Sequence, residues 1–272
     1  MKKNIVVIGA SSGMGKDLVK ALVVKGHNVY CAARRIEKLE ELKQLGAQIF
    51  KMDITNEVQV NDVIAQIIAD AGYIDVVYSN AGYAIAGPVE ETPIAKVHEQ
   101  FQTNVYGAAI VTRAVLPHMR ERNEGRIIFT TSIAGRVSTG MNSWYSASKH
   151  ALNGMVKGLA QELNTFNIKV VTIEPGCVLT EFDGLQLADM KSTNKLDAYS
   201  DATQQSHDFL YDAYRKGSDT RSTVKTMLRA GFSKNPKLSY RSTLDAKILN
   251  ALQAIVGEKL LGKIFNRLVS RF

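Results

Sequence analysis

Short apolar runs alternate with longer helical patterns over the first two-thirds of the chain. The apolar runs predict strands at Asn4 to Ile8, Asn28 to Ala33, Gln48 to Met52, Ile74 to Ser79, Gly125 to Thr131 and Ile168 to Glu174. Several of these runs contain almost no polar residue, which is typical of strands covered by helices on both faces. Because each connection is long enough to hold a crossover helix, the pattern predicts an α/β fold with a parallel sheet.

The pattern changes after the sixth of these runs. Residues 182–235 are rich in Ser, Thr, Asp, Asn and Tyr and contain no clear strand, so we interpret this segment as a partly helical lid. A short strand at Leu238 to Ser242 is predicted next, followed by helices from Leu244 to Val256 and from Glu258 to Phe272. No repeat or linker divides the chain, and we expect residues 1–272 to form one domain.

The composition is that of an ordinary globular protein, with 45% apolar and 22% charged residues. The N-terminal apolar run ends at Ile8, which is too early for an export signal, and no stretch approaches the roughly 18 apolar residues of a membrane span. The two cysteines, Cys31 and Cys177, match no metal-ligand or redox spacing. We therefore expect a cytoplasmic protein that binds no metal.

The net charge of +8 comes from the C-terminal quarter, where residues 213–272 contain 13 Lys and Arg against 3 Asp and Glu. Such a patch attracts anionic partners, but no nucleic-acid-binding motif accompanies it and we expect no nucleic-acid partner. The last segment, 258–272, places basic residues four apart beside apolar positions, which predicts a basic amphipathic helix. This helix could dock with its basic face in solvent, cover a pocket, or make weak peripheral contact with an anionic membrane.

A glycine-rich segment directly follows the first strand and opens a helix. Glycines in this place permit a tight turn and let the backbone approach a pyrophosphate, whose charge is met by free N–H groups at the helix N-terminus. Glycines alone are weak evidence, because a strand-to-helix turn also uses them for conformational reasons. The order of strand, glycines and helix favours a dinucleotide site at Gly9, Ser11, Ser12, Gly13, Met14 and Gly15.

The end of the second strand indicates which dinucleotide binds. Enzymes that use NAD usually carry an acid here to hold the ribose 2′-hydroxyl, whereas this chain has Arg34 and Arg35. A guanidinium pairs with a 2′-phosphate that a carboxylate would repel. The sequence predicts NADP(H) in preference to NAD(H), with Arg34 as the main phosphate ligand and Arg35 and Ser12 as helpers. The alternative is that both arginines only solvate the start of a helix.

Tyr145 and Lys149 are four residues apart, which places a phenol and an ammonium on one helix face with Cβ atoms roughly 6 Å apart. A nearby cation favours the phenolate form of tyrosine, whose reference pKa of about 10 makes it a poor base at neutral pH. Ser132 follows the fifth strand, at the edge where a parallel sheet gathers ligands. The spacing alone is common by chance, and it gains meaning from the residues around it.

Together these segments make the sequence resemble the short-chain dehydrogenase/reductase family, in its single-domain branch. The matching segments lie in family order over residues 4–180: the glycine loop 9–15, Asp53-Ile54-Thr55, Asn80-Ala81-Gly82, Asn104 with Gly107, Ser132, Tyr145 with Lys149, and Pro175-Gly176-Cys177-Val178-Leu179-Thr180. The resemblance implies a Rossmann-type, doubly wound parallel sheet flanked by helices, with a helical substrate lid and C-terminal helices. One residue departs from the pattern, since Ile8 stands where the family usually has a threonine that ties down the glycine loop.

The resemblance also implies roles for individual residues. Tyr145 would exchange a proton with the substrate oxygen, Ser132 would hydrogen-bond that oxygen, and Lys149 would lower the Tyr145 pKa while binding the nicotinamide ribose. Asn104 would hold a water of the proton relay, or it would only mark a helix bend. The implied cofactor contacts are Asp53 at the adenine, Asn80 near the ribose or in a turn, Thr180 at the carboxamide, and also Ile54, Ala81, Gly82, Pro175, Gly176 and Val178.

These features predict an oxidoreductase that interconverts a carbonyl and an alcohol with NADP(H). The layout after Thr180 resembles the branch of 17β-hydroxysteroid and retinol dehydrogenases, which favours a hydrophobic small-molecule substrate. Candidate pocket residues, for which ordinary packing is the alternative, are Phe182, Leu185, Leu187, Met190, Phe209, Leu210, Tyr211 and Tyr214. The alternative functions are a regulator that binds NADP(H) without turnover and an epimerase or dehydratase. Because relatives commonly pair through helices that here span Pro93 to Arg120 and Trp144 to Phe166, we expect a homodimer or homotetramer.

Overall fold

A computed structural model describes residues 1–193 and 195–272, so residue 194, inside the predicted lid, lies outside the described residues. Seven parallel strands form one sheet in the order β3-β2-β1-β4-β5-β6-β7. The strands are β1 (Asn4–Ile8), β2 (Asn28–Ala33), β3 (Gln48–Lys51), β4 (Val76–Ser79), β5 (Gly125–Thr130), β6 (Ile168–Glu174) and β7 (Ser239–Arg241). The predicted doubly wound α/β fold is confirmed, and each strand lies where the sequence predicted one.

The helices that connect these strands are α1 (Gly13–Val24), α2 (Glu40–Gln44), α3 (Glu57–Ala71), α4 (Ile94–Phe101), α5 (Ala108–Arg122), α6 (Ser143–Glu162), α7 (Glu181–Thr193), α8 (Ser200–Arg215), α9 (Thr220–Phe232) and α10 (Leu244–Val269). A π-helical turn, Gln102–Gly107, joins α4 to α5, so the long helix predicted there contains a local break. The two helices predicted at the C-terminus form one element with a non-helical Gly257 between its halves. Among the described residues, no helix is long and apolar enough to cross a lipid bilayer.

Helices cover both faces of the sheet. The apolar faces of α3, α5 and α6 are buried against one face, and those of α1 and α9 against the other. Because successive strand residues point to opposite faces, β1 supplies Val6 and Ile8 to the first layer and Ile5 and Val7 to the second. Burial on both faces explains why the strands are almost unbroken apolar runs.

The range 182–235, predicted as a lid, includes a helix that belongs to the core. In α9, Val224, Met227 and Ala230 belong to the core between α1 and the sheet. The helices α7 and α8 instead pack on each other, and α8 also contacts α10. The prediction was too long at its C-terminal end, because the many polar residues of α9 hid an apolar face of only a few positions.

The topology brings the ends of five strands to one site. Strand β1 lies between β2 and β4, so the crossovers run away from it in opposite directions and open a crevice at the carboxyl edge of the sheet. Residues predicted to bind the cofactor or substrate follow these strand ends: Gly9 after β1, Arg34 after β2, Asn80 after β4, Ser132 after β5 and Pro175 after β6. The parallel sheet therefore gathers residues that are far apart in sequence.

Candidate active site

The loop after β1 brings the backbone close to its neighbours. Gly9 (φ 83°) and Gly13 (φ 52°) adopt left-handed conformations that disfavour any side chain. A Cβ added to Gly15 would collide with the Gly9 carbonyl oxygen and would lie 2.7 Å from Asn80 Nδ2. The bare loop leaves the N-terminus of α1 open to an anion, which fits the predicted pyrophosphate site.

Asn80 anchors this loop where Ile8 replaces the family threonine. Its Nδ2 donates a hydrogen bond to the Gly9 carbonyl oxygen at 3.1 Å, and its Oδ1 accepts one from Thr130 Oγ1 at 2.9 Å. Gly9 N also donates to the Ala32 carbonyl oxygen at 2.9 Å. Asn80 thus uses both ends of its side chain to tie the glycine loop to β5, which supports the turn-stabilising interpretation of this residue.

A cleft of about 360 Å³ opens beside the glycine loop. The predicted cofactor residues that line it are Gly9, Ser11, Ser12, Gly13, Met14, Arg34, Arg35, Ile54, Asn80, Ala81, Gly82 and Thr180. The Asp53 carboxylate points back into its own turn, where Oδ1 accepts hydrogen bonds from Thr55 N at 2.9 Å and Thr55 Oγ1 at 2.8 Å. Its neighbours Met52 and Ile54 line the cleft, and the predicted contact of Asp53 with the adenine stays a prediction.

A second cavity of about 410 Å³ adjoins this cleft. Its lining includes the polar residues Ser132, Tyr145 and Lys149 and the predicted cofactor residues Pro175, Gly176 and Val178. The lid candidates that line it are Phe182, Phe209, Leu210 and Tyr214. The other candidates lie elsewhere: Leu185 faces the cofactor cleft, Leu187 and Met190 are buried, and Tyr211 is exposed. The second cavity therefore combines three reactive side chains with an apolar wall.

Tyr145 and Lys149 lie on one face of α6, as their spacing predicts, and both are buried. The Lys149 Nζ is 5.7 Å from the centroid of the Tyr145 ring and donates a hydrogen bond to the Thr130 carbonyl oxygen at 3.1 Å. Ser132 begins a short 3-10 turn, where its Oγ accepts a hydrogen bond from Ala134 N at 3.1 Å. The segment after β5 and the first turns of α6 thus bring the three side chains to one wall of the second cavity.

Burial dominates the electrostatics of this wall. It raises the pKa of Tyr145 to about 12, against the opposing effect of the Ser132 hydroxyl. It lowers the pKa of Lys149 to about 8. The sequence predicted that Lys149 would lower the Tyr145 pKa, whereas the net shift is upward because removal of the phenol from water disfavours the phenolate. Tyr145 is consequently protonated at neutral pH, the form that a proton donor requires.

Asn104 lies in the π-helical turn between α4 and α5 and bonds to two neighbouring segments. Its Oδ1 accepts a hydrogen bond from Tyr83 N at 3.0 Å, while its Nδ2 donates to the Tyr83 carbonyl oxygen at 2.8 Å and to Ser148 Oγ at 3.0 Å. A Cβ on Gly82 would lie 3.0 Å from Asn104 Oδ1 and 3.3 Å from Lys149 Nζ. These bonds support the helix-bend alternative and give Asn104 the task of holding the loop after β4 against α6.

Sequence reasoning missed a buried polar chain that connects the lid to α6. Gln186 on α7 is only 1% exposed. Its Oε1 accepts a hydrogen bond from Tyr214 Oη at 2.6 Å, and its Nε2 donates to Asn142 Oδ1 at 2.9 Å. A glutamine in a polar helical segment carries no signal of burial in a single sequence, because glutamine is mostly exposed in helices.

The loop after β6 is held by the first turn of α10, a second contact that was not predicted. Gly176 N donates to Thr243 Oγ1 at 2.9 Å, and Cys177 N donates to Asp245 Oδ2 at 2.7 Å. A Cβ on Gly176 would collide with the Asp245 carboxylate. Thr243 and Asp245 are typical of a helix N-terminus and could have indicated where α10 begins, but not which loop they bind.

The C-terminal half of α10 covers the second cavity. Leu261 and Phe265 are buried in a cluster with Ile133 and Val137, and Phe265 and Leu268 line the cavity. The four basic residues of this half, Lys259, Lys263, Arg267 and Arg271, are exposed. Of the roles considered for this helix, docking with a solvated basic face and covering the pocket both agree with the geometry.

Comparison with known proteins gives the same picture. The family model described as short chain dehydrogenase matches residues 3–191. The 3-ketodihydrosphingosine reductase of Bacteroides thetaiotaomicron is 33% identical over 234 residues, which cover 85% of this chain and 84% of that protein. Retinol dehydrogenase 8 of Homo sapiens is 29% identical over 265 residues, which cover 93% and 85%.

Solved structures agree along almost the whole chain. A short-chain dehydrogenase from Streptomyces avermitilis has a TM-score of 0.82 at 28% identity and covers 98% of this chain and 97% of its own. Serine dehydrogenase complexed with NADP⁺ has a TM-score of 0.77 at 26% identity, with 88% and 94% covered. A short-chain dehydrogenase/reductase from Burkholderia phymatum in complex with NAD shares the fold, with a TM-score of 0.75 at 22% identity and 88% of each chain covered. The chain belongs to the short-chain dehydrogenase/reductase family of oxidoreductases, whose fold binds a nicotinamide cofactor.

Proposed function

We propose that this protein interconverts a carbonyl and an alcohol on a hydrophobic small molecule, with NADP(H) as cofactor. The observation that carries the proposal is the shared wall of the two cavities. Met14, Asn80, Gly82, Thr180 and Phe182 line both the glycine-loop cleft and the apolar cavity. A cofactor in the first space and a substrate in the second would therefore be in contact, with Ser132, Tyr145 and Lys149 at the substrate side.

The nicotinamide would supply the hydride for reduction and accept it for oxidation. Tyr145 Oη, protonated at neutral pH, would donate its proton to the carbonyl oxygen, and in oxidation the same group would accept a proton. Ser132 Oγ would donate a hydrogen bond to that oxygen and stabilise its developing charge. The Lys149 ammonium would add positive charge beside the phenol, and the apolar wall would exclude water that weakens these interactions.

The cofactor preference rests on the cations after β2. Arg34 and Arg35 line the cleft where the adenosine half would lie. Strand β2 and the two residues after it contain no acidic residue that could hold a 2′-hydroxyl. Replacement of Arg34 by alanine should weaken NADPH binding at least tenfold and NADH binding much less, because only NADPH carries the 2′-phosphate. Fluorescence titration of both cofactors measures this, and an equal loss for both would refute the preference.

A hydrophobic substrate is supported by the cavity and by the relatives. Phe209, Leu210, Ile248 and Leu249 line the space beyond the reactive groups. Two relatives carry names that refer to 3-ketodihydrosphingosine and to retinol, both hydrophobic molecules. The proposal therefore places an apolar chain or ring system under α7, α8 and α10, with its oxygen at Ser132 and Tyr145.

The proposal is tested by incubating the protein and NADPH with a panel of ketones, aldehydes and quinones and following the nicotinamide absorbance. Turnover should be greatest with apolar carbonyl compounds. Tyr145→Phe should lower kcat by about 10²- to 10⁴-fold and leave the affinity for NADPH unchanged, because only the proton donor is removed. The control Tyr106→Phe changes an exposed tyrosine and should keep full activity. Full activity of Tyr145→Phe would overturn the assigned role.

Two other functions remain as alternatives on the same fold. A regulator would bind NADPH and turn over no compound of the panel, although Ser132, Tyr145 and Lys149 all face the cavity here. An epimerase or dehydratase would regenerate its nicotinamide in each cycle and would show no net change in absorbance while its substrate is converted. The placement of one proton donor beside an apolar cavity favours the reductase.

The remaining proposals concern location and partners. Cys31 and Cys177 are free, which supports a reducing, cytoplasmic setting. We expect a homodimer or homotetramer through α4–α5 and α6, which light scattering would test. Leu260 and Phe272 are about half exposed beside the basic face of α10, which supports weak contact with an anionic membrane. Binding to anionic vesicles at low salt that is lost at high salt would support this contact, and no binding at low salt would exclude it.

A further inference from the structure

Three charged side chains join the first turn of α7 to the loop after β2, across the mouth of the cofactor cleft. Lys38 Nζ lies 2.9 Å from Glu181 Oε1 and 3.1 Å from Glu181 Oε2. Arg35 Nη2 lies 3.4 Å from Glu181 Oε2 and 3.4 Å from Ser11 Oγ. The hydrogen bonds from Lys38, followed by those from Arg35, hold the pKa of the Glu181 carboxyl below its usual value, so this group is charged at neutral pH.

One of these cations lies where the proposed 2′-phosphate would bind, and the other lies beside it. Arg35, Ser11, Ser12 and Glu181 line the cofactor cleft. Lys38 and Glu181 line an adjoining depression together with Ser11 and Ser12. A carboxylate and a phosphate both accept hydrogen bonds from guanidinium and ammonium groups, and the two anions repel each other at close range. Glu181 and a bound phosphate therefore cannot both keep the full set of contacts to Arg35 and Lys38.

The ion pairs of Glu181 with Arg35 and Lys38 are exposed enough for a bound phosphate to replace the carboxylate. The Glu181 side chain is 51% exposed, and exposed ion pairs of this kind contribute little to stability. A phosphate carries more charge than a carboxylate, so it is the stronger partner for both cations. The contacts of Glu181 are thus weak enough to be displaced, while still lowering the affinity of any anion that must displace them.

We propose that Glu181 competes with the 2′-phosphate of NADP(H) for Arg35 and Lys38, so that this cofactor releases the first turn of α7 whereas NAD(H) leaves the ion pairs intact. The inference rests on the proposed preference for NADP(H) and deepens it. The released turn contains Phe182, whose ring centroid is 5.6 Å from that of Tyr145. The competition consequently connects recognition of the phosphate to the lid residue that packs beside the proton donor.

The test compares Glu181→Gln with a matched control in direct cofactor binding. Glu57 forms a pair with Arg113 at 3.2 Å and is 49% exposed, so Glu57→Gln removes the same charge from a similar pair on α3. We expect Glu181→Gln to bind NADPH about threefold more tightly and to bind NADH with nearly unchanged affinity, as suits two exposed ion pairs. Glu57→Gln should change neither. The effect should disappear at about 1 M salt, where exposed charges are screened.

The outcomes separate this inference from the proposed function. If the wild type prefers NADPH but Glu181→Gln behaves as Glu57→Gln does, or binds NADPH more weakly, the competition is overturned and the cofactor preference stands. If the wild type binds NADPH and NADH equally, the cofactor preference is wrong and the competition falls with it. A selective gain for NADPH in Glu181→Gln alone supports both.

A second measurement observes the lid itself. Hydrogen–deuterium exchange in the first turn of α7 is compared with 2′,5′-ADP and with 5′-AMP, which differ only in the 2′-phosphate and carry no nicotinamide. We expect faster exchange with 2′,5′-ADP than with 5′-AMP in the wild type, because the ion pairs are broken. The difference should vanish in Glu181→Gln. Equal exchange with both nucleotides at saturation would overturn the release of α7.

Discussion

The cofactor side and the substrate side of this site are held together by different interactions. On the cofactor side, residues 4–180, the loops are fixed by a parallel sheet, by glycines that admit close backbone approach, and by Asn80, which bonds to the Gly9 carbonyl oxygen. On the substrate side, in α7, α8 and α10, side chains carry the contacts: Gln186 to Asn142, Glu181 to Lys38, and Asp245 to the backbone of Cys177. Close backbone packing on the cofactor side allows few residue types at each position. Side-chain contacts on the substrate side can be replaced by substitution of one pair at a time.

This difference fits the chemistry that each side must perform. A dinucleotide presents the same phosphates and ribose to every enzyme that uses it, and a rigid backbone cradle recognises them well. In the proposed function a substrate would enter and leave under α7, α8 and α10, and the elements that move are drawn from the less stable parts of a fold. Side-chain pairs that open at low cost suit the second task.

The largest expected effect comes from a methyl group in the glycine loop. Gly15→Ala places a Cβ against the Gly9 carbonyl oxygen and Asn80, where two backbone segments must move apart. Such overpacking costs about 1–3 kcal/mol of the free energy of unfolding, and we expect NADPH affinity to fall at least tenfold as the loop shifts. Urea unfolding and cofactor titration measure the two effects.

The matched change on the substrate side is Gly184→Ala in α7, where an added Cβ meets no atom within 4 Å. Alanine is favoured over glycine inside a helix by up to about 1 kcal/mol, so the lid should be unchanged or slightly more stable. Cofactor affinity should stay that of the wild type. Similar losses in both variants would show that the lid is as tightly constrained as the glycine loop.

The next largest expected effect is on the pH dependence of activity, through Lys149, which lines the second cavity. Its pKa of about 8 means that its positive charge is lost above that pH, instead of above the ordinary value near 10.5. We expect kcat/KM for carbonyl reduction to be level below pH 8 and to fall about tenfold per unit above it, because one essential proton is lost. A profile that stays level to pH 10 would contradict the burial of the charged amine.

Loss of the Lys149 proton lowers kcat/KM but raises the free energy of unfolding. Between pH 8 and about 10.5 the unfolded chain keeps the Lys149 proton that the folded chain has lost, so this group makes the free energy of unfolding rise with pH. Comparison with Lys149→Met isolates that contribution, since methionine fills similar space without a charge. The difference in unfolding free energy between methionine variant and wild type should shrink as the pH rises through this window.

The sequence could predict the cofactor side because its constraints are local. Glycine at 9, 13 and 15 reports a turn without room for side chains, and the spacing of Tyr145 and Lys149 reports one helix face. Six of the seven strands followed from apolar runs, since burial on both faces leaves few polar positions. The π-helical turn after α4 was not predicted, because no residue in that helical pattern marks an extra residue per turn.

The substrate side could not be predicted to the same depth, because its contacts join residues that no periodicity connects. Gln186 on α7 forms hydrogen bonds with Asn142 before α6 and with Tyr214 on α8. Glu181 forms an ion pair with Lys38, which lies in the segment after β2. Asp53 shows a contact within one turn that its place in a family motif does not reveal. Its Oδ1 accepts hydrogen bonds from the backbone N and the hydroxyl of Thr55, while its predicted contact with the adenine stays a prediction.

The smallest expected effect tests whether Gln186 holds the lid closed. Gln186→Leu keeps the volume but leaves Tyr214 Oη and Asn142 Oδ1 without this buried partner. If docking of α7 weakens by about 1 kcal/mol, the KM for an apolar carbonyl substrate should rise about fivefold, while NADPH affinity stays unchanged. Gln204→Leu is the control, because Gln204 is exposed on α8 and bonds only to Asp208 among the hydrogen bonds of the described residues. A change in NADPH affinity equal to the change in KM would show that the two sides are not held independently, since loosening the lid would then also loosen the glycine loop.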